Sequence, residues 1–489
     1  MSASPVPIES WTSRSQFAGK RVHFIGIGGS GMSGLARMLM DRGAIITGSD
    51  AKPSGLVLKL MERGAQVSRE QDGRLVTGDV DLVVRTAAVP DTNAEYQVAV
   101  SLGLKVLKYA QLLGYVMKES VGVAVAGTHG KSTTSAMTSY ILMKLGADPS
   151  FVIGATVPQL GGGSRSGGGE VFVAESCEYD RSFHNLFPRV AVITNIDADH
   201  LDVYKDLADI EQSFATFAKL VPAEGRIITL GGSEPVTRAM SGVAAPVDYV
   251  EMEQAGAASI GKAGERAKTG RGGGDRWTVR QIESRGAFPA AEIRLNGVKL
   301  CEISLSIPGV HNLLNATMAI AACRAAGYDP IQAAAAVESF AGVDRRMTKL
   351  GEVNGAVVID DYGHHPTEVV ATLAALKAAY KPRRLVCVFQ PHQASRTRAL
   401  LAEFSAAFAD ADEVLLPEIY YVRDSEEDRK AVSSKLLAER ISAGGTPARF
   451  VETYDAAVAA VKAMVGPGDL VVTMGAGPVC EVGEALVGG

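Results

Sequence analysis

A strand that runs into a glycine loop and then into a helix constrains this chain more than any other feature. The apolar run VGVAVA at 121–126 leads into GTHGKST at 127–133, and a helical pattern continues to about Leu145. In such a loop, glycines let backbone N–H groups curl around phosphate oxygens, the helix N-terminus favours the anion, and a lysine reaches the outer phosphates. The string departs from GxxxxGK[ST], because Val125 stands at the first glycine position. Gly127, Thr128, His129, Gly130, Lys131, Ser132 and Thr133 are read as a cradle for ATP phosphates, with a plain helix-capping turn as the alternative. The Ser132 hydroxyl is a candidate ligand for Mg²⁺.

Similar alternation of strands and helices runs along all 489 residues and predicts an α/β protein of three domains, at 1–118, 119–341 and 342–489. Two glycine-rich stretches interrupt the second unit, at 161–169 and 255–275. The latter is expected to be a flexible surface loop, and neither is assigned chemistry. A formal net charge of −5 provides no basic field for nucleic acid or an anionic membrane. Five cysteines (Cys177, Cys301, Cys323, Cys387, Cys480), none in a CxxC, predict reduced thiols. The N-terminal stretch lacks a charged start followed by an apolar core, and no run approaches ~18 apolar residues. A cytoplasmic protein is the expectation.

Acidic residues gather at the ends of two central strands. Glu175 closes VFVA and opens ESCEYD, while Asp197, Asp199, His200 and Asp202 follow RVAVITNI. Both clusters suit Mg²⁺ at the mouth of a parallel sheet, and each alone also suits a solvated capping loop.

In the first unit, Gly26, Gly28 and Gly31 have GxGxxG spacing after a strand, with Asp50 about twenty residues on. Backbone donors for a diphosphate and a carboxylate for a ribose fit NAD, another nucleotide diphosphate, or a packing turn without a ligand. The third unit opens with Asp360, Asp361, Tyr362, Gly363, His364, His365, and later carries FQPHQASRT with Gln390, His392 and Arg396. The paired histidines fit metal binding, substrate binding or helix capping.

Seven stretches together resemble the Mur ligases. They are GIGGSGMSGLA at 26–36, GTHGKST at 127–133, ESCEYD at 175–180, NIDADHLD at 195–202, IPGVHNLLNA at 307–316, DDYGHHPTE at 360–368 and FQPHQASRT at 389–397. GMSGLA and DDYGHHPTE resemble the branch that joins L-alanine to UDP-N-acetylmuramate. The resemblance implies an N-terminal Rossmann-like UDP-sugar domain, a central P-loop-type ATPase domain with a mostly parallel sheet, and a C-terminal Rossmann-like domain. It also implies the reaction: ATP phosphorylates the lactyl carboxylate, and the amine of L-alanine displaces phosphate from the acyl phosphate.

By matched position, Lys131 would hold the outer phosphates, Ser132 with Glu175 one Mg²⁺, and His200 a second. Asn312 and Asn315 would face the adenine side, and Arg345 or Arg346, with Asp360, would reach the nucleotide from the third domain. Tyr362, His364 and Arg396 would form the amino-acid pocket, and Gly26, Gly28, Gly31 and Asp50 would serve the UDP sugar. Lys131, Glu175, His200 and His364 are the implied catalytic set. Two alternatives are a ligase attaching a recycled tripeptide to the same sugar nucleotide and, on GxGxxG alone, an NAD-dependent oxidoreductase. Three positions depart from the family pattern: Ser132 replaces a frequent threonine, Cys177 a common aspartate, and Gln393 an arginine.

Overall fold

The computed structural model describes residues 15–52, 55–86, 88–253, 273–284, 286–422 and 424–488. The expected loop at 255–275 lies outside the described residues except at its last three positions.

Apolar strands buried on both faces need helices on both sides, and three sheets satisfy that requirement. The first has five parallel strands in the spatial order Gln66–Ser68, Ile45–Ser49, Arg21–Ile25, Leu82–Arg85, Val106–Lys108. Strand order reverses beside Arg21–Ile25, so the glycine loop opens at the switch point where such sheets bind ligands. The helix after it spans Ser30–Asp41 and starts earlier than the expected Ser33. Gly31 and Gly34 lie inside the helix, where glycine is normally unfavourable, because neighbours crowd them. A Cβ at Gly34 would lie 2.6 Å from Ser164 of the second unit.

At the centre of the ten-stranded second sheet, Val121–Ala126 lies between Val171–Glu175 and Val190–Ile193, all parallel. Their carboxyl-end loops therefore emerge side by side. An antiparallel run, Arg276–Ile282, Ala290–Leu295 and Val298–Ser304, extends one end of the sheet. Helices Lys131–Lys144 and His311–Ala325 bury Ser135, Ala136, Ser139, Ala316 and Ala319, and small side chains on both helices let the backbones approach. The glycine-rich stretch is partly ordered, since Ser164–Arg165 pairs antiparallel with Ser150–Val152.

The third sheet runs Thr348–Val353, Ala356–Asp361, Asp469–Met474, Arg384–Phe389, Glu413–Leu416, Ala448–Phe450, and only its first strand is antiparallel. Its loops at 362–365 and 390–393 face those of the second sheet.

One apolar cluster spans the first two units, joining Leu112, Val116 and Met117 to Phe172, Phe183 and Leu186. The third sheet has a separate cluster on each face. Among the described residues, no helix is long and apolar enough to cross a membrane.

Candidate active site

The loop at 127–133 can form only with glycine at its first turn. Gly127 has φ 133°, and a Cβ there would lie 2.0 Å from Thr194 Oγ1. His129 N donates to Asn195 Oδ1 at 2.8 Å, which ties this loop to the one after Val190–Ile193. Lys131 Nζ donates to the Gly127 and Thr128 carbonyls at 2.6 and 3.1 Å and to Glu178 Oε1 at 3.0 Å. Ser132 Oγ donates to Glu175 Oε1 at 3.0 Å, and the other Glu175 oxygen accepts from Gly154 N at 2.7 Å.

Glu178 was not assigned a role from the sequence, yet it sits at the centre of this group. It is buried, and its Oε1 also lies 3.5 Å from His200 Nε2. Burial would raise its pKa, but the charges of Lys131 and His200 outweigh that and hold it below the usual carboxylate range. Its second oxygen and His200 Nδ1 are buried without hydrogen-bond partners.

Beside the loop lies a cavity of about 310 Å³, lined among others by His129, Thr133, His311, Asn312, Asn315, Arg346, Asp361 and Glu368. Asn315 Nδ2 donates to Asn312 Oδ1 at 2.9 Å, and Asn312 Nδ2 donates to the Pro308 carbonyl at 2.7 Å. Asp360 does not line the cavity: it is buried, accepts from Thr473 Oγ1 at 2.7 Å, and pairs with Arg345 Nε at 3.0 Å. Arg345 also donates to the carbonyls of Gly475 and Gly477. Adjacent strand residues point to opposite faces, so Asp361 reaches the cavity, and Arg346, in the turn before Thr348–Val353, also lines it. Burial pushes the Asp361 carboxyl up to about 6.

A second, larger cleft of about 720 Å³ is where all three units meet. Lys131, Ser132, Glu175 and His200 line it from the centre, and Arg345, Tyr362, His364, Gln393 and Arg396 from the third unit. Ser30, Arg37 and Lys59 come from the first. Gly161, Gly162, Gly163 and Ser164 also line it, so a stretch given no chemistry borders the site.

Arg345 and Arg346 stack on the Tyr362 ring at 5.1 and 5.0 Å. His364 Nδ1 donates to the Tyr362 carbonyl at 3.1 Å, and burial lowers its pKa to about 3, so the imidazole is neutral. Arg396 is bonded to Asp199 of the central unit. Gln393 is buried with φ 69°, and its Nε2 donates to the Val422 carbonyl at 3.3 Å. His365 takes the capping role: its Nδ1 accepts from Thr367 N at 3.3 Å at the start of helix Pro366–Tyr380.

The first unit's glycine loop is closed by its own acid. Gly28 N donates to Asp50 Oδ2 at 2.7 Å, and a Cβ at Gly28 would lie 2.5 Å from that oxygen. Gly31 packs on Tyr109, where a Cβ would lie 2.7 Å from the hydroxyl. Gly26 has φ 79°. None of Gly26, Gly28, Gly31 and Asp50 lines the large cleft, whereas Ser30 does.

Three family models match in chain order: "Mur ligase family, catalytic domain" over residues 21–120, "Mur ligase middle domain" over 125–323, and "Mur ligase, glutamate ligase domain" over 345–477. The UDP-N-acetylmuramate–L-alanine ligase of Caldanaerobacter subterraneus subsp. tengcongensis is 40% identical over 471 residues, covering 96% of this chain and 97% of the relative. That of Nitratidesulfovibrio vulgaris is 37% identical over 471 residues, covering 96% and 99%. Among solved structures, the UDP-N-acetylmuramate-alanine ligase of Thermotoga maritima superposes with a TM-score of 0.73 at 26% identity, covering 95% of this chain and 98% of that one. A murein peptide ligase from Psychrobacter arcticus shares the fold, with a TM-score of 0.66 at 24% identity and coverage of 96% and 98%. Matched by family models in all three units, and by relatives along nearly its whole length, the chain belongs to the Mur ligase family.

Proposed function

We propose that this chain uses ATP to join L-alanine to the lactyl carboxylate of UDP-N-acetylmuramate, forming an amide, ADP and phosphate in cytoplasmic peptidoglycan precursor synthesis. The observation that carries this reading is the cleft where Lys131 and Glu175 face Tyr362, His364 and Arg396 across two units, with a nucleotide-sized cavity beside them.

A carboxylate is a poor acylating agent until one of its oxygens becomes part of a good leaving group. Attack of a carboxylate oxygen on the γ-phosphorus expels ADP and gives an acyl phosphate. The free amine then attacks the carbonyl carbon, and phosphate leaves with the original carboxylate oxygen and the amine's proton. Both steps depend on positioning and charge neutralisation more than on covalent help from the protein.

In this reading the loop 127–133 holds the phosphates and Lys131 turns from Glu178 towards them. Asn312, Asn315 and Arg346 border the base, and Arg345 lies on the cleft side. Gly26, Gly28, Gly31 and Asp50 serve the UDP moiety, with Arg37 and Lys59 supplying positive charge from the first unit. Neutral His364 and Tyr362 flank the amine without adding a positive charge near it. The oxygen donors of Ser132 and Glu175 fit one Mg²⁺, and His200 with the unpartnered oxygen of Glu178 fits a second. When bound, the ions neutralise phosphate charge. We place the domain joints near residues 119 and 342.

A phosphate-release assay with UDP-N-acetylmuramate tests the proposal. Turnover with L-alanine is expected. Turnover with a murein tripeptide, but none with alanine, glycine or serine, would overturn it in favour of the tripeptide ligase.

A further inference from the structure

We propose that His129, Asp197 and His365 form a binding site for a borderline transition cation of the Zn²⁺ class, separate from the Mg²⁺ positions around Ser132 and Glu175. One potential ligand atom from each of the three lies within 4.8 Å of the others. The two imidazole rings are tilted by 46° with centroids 4.8 Å apart, and His129 Nε2 lies 3.5 Å from Asp197 Oδ2. That nitrogen is buried and makes no hydrogen bond. The other ring nitrogen, Nδ1, lies 3.2 Å from Glu368 Oε1. A carboxylate behind an imidazole is the arrangement that orients a metal-ligating histidine and raises its basicity.

The donor set selects the metal. Two imidazoles and one carboxylate suit Zn²⁺ and its neighbours, with a fourth position left for water, whereas Mg²⁺ favours a set in which oxygen ligands outnumber nitrogen. Binding requires His129 to give up its proton. It also requires His365 to exchange one of two hydrogen bonds, Thr367 N on Nδ1 or the Ala198 carbonyl on Nε2. Tetrahedral geometry with bonds of ~2.0–2.1 Å sets ligand atoms roughly 3.4 Å apart, so the set must contract by side-chain rotation.

The three ligands come from different parts of the chain. His129 belongs to the phosphate loop, Asp197 to the loop after Val190–Ile193, and His365 to the cap of helix Pro366–Tyr380 in the third unit. The site is therefore complete only when the central and C-terminal units are together, and a bound cation fastens them. His129 and Asp197 also line the smaller cavity, so the cation obstructs nucleotide entry. The ligase is inhibited by such a metal even with Mg²⁺ in excess.

Cobalt titration of the full chain, followed by visible absorption in saturating Mg²⁺ without nucleotide, tests the site. The wild type is expected to bind Co²⁺ stoichiometrically, with bands of nitrogen-ligated four-coordinate cobalt that Zn²⁺ abolishes. His365→Asn keeps a good helix cap but removes the imidazole, and is expected to weaken binding by at least about tenfold while the thermal melt stays near wild type. Absence of saturable binding below millimolar Co²⁺ would overturn the proposal. So would equal affinity in His365→Asn.

Discussion

Arg396 places both Nε and Nη2 on a single oxygen of Asp199, at 3.0 and 2.9 Å, across 197 positions of the chain. Both side chains are buried, and the pair joins the central loop that carries His200 to the third unit. Burial would push the Asp199 carboxyl up, but the guanidinium outweighs it and holds it well below the usual range. Removing one partner of a buried pair strands the other, at a cost of roughly 3–5 kcal/mol. Asp199→Ala is expected to lower the melting temperature of the central and C-terminal units in calorimetry. An unchanged melt would show that the pair does not hold them together.

Because Arg396 is already bonded to a carboxylate, the proposed amino-acid pocket leaves position 393 as the place to add a free cation. Gln393 lines the same cleft with a neutral amide. Gln393→Arg adds a cation able to pair with an incoming carboxylate, and is expected to lower the KM for L-alanine by about tenfold with kcat little changed. Equal KM values in wild type and variant would remove position 393 from the amino-acid site.

Lys131 pairs with Glu178 and, in the proposed reaction, also holds the phosphates, and two substitutions separate these roles. Lys131→Met is expected to abolish phosphate release and to lower the melting temperature, because Glu178 is left charged and buried. Adding Glu178→Gln should recover much of the lost stability but none of the activity. Recovery of activity in the double variant would mean that Lys131 serves only to neutralise Glu178.

The contact between the phosphate loop and the third unit is expected to depend on pH. Burial lowers the His129 pKa, but Asp197 and Glu368 more than offset this and raise it from 6.5 to about 9. His365 and Arg346 are the cationic or titratable neighbours on the same face. A histidine with a raised pKa stabilises fully below its ordinary value, and the gain is lost as pH climbs through the folded value. Stability should therefore fall between pH 6.5 and about 9, by on the order of 3 kcal/mol at most. His129→Gln should flatten that slope in melts recorded across the range, and an equally steep slope would assign the titration to another group.

Much of the site was legible because it depends on local order. A strand, a glycine loop and a helix place Lys131 and Ser132 together, and a strand end places Glu175 beside them. Glu178 was less visible, since its direction follows from a tight turn in which Asp180 and Arg181 adopt φ 53° and 51°. That Asp361 and not Asp360 lines the smaller cavity has a similar origin. Ala356–Asp361 is buried on both faces, so no apolar–polar alternation tells which acid faces the cavity. Helix Ser30–Asp41 began sooner than its glycines suggested, because those glycines serve packing against Tyr109 and Ser164. Arg37, Lys59 and the stretch 161–164 enter the cleft only through contacts between units, which no local pattern encodes.

The central claim is that ATP's phosphate passes to a substrate carboxylate before the amide forms. UDP-N-acetylmuramate labelled with oxygen-18 in its lactyl carboxylate, incubated with ATP, Mg²⁺ and L-alanine, tests it directly by mass spectrometry of the products. The account predicts one labelled oxygen in each released phosphate and one left in the new amide carbonyl. Unlabelled phosphate released together with the amide would contradict it.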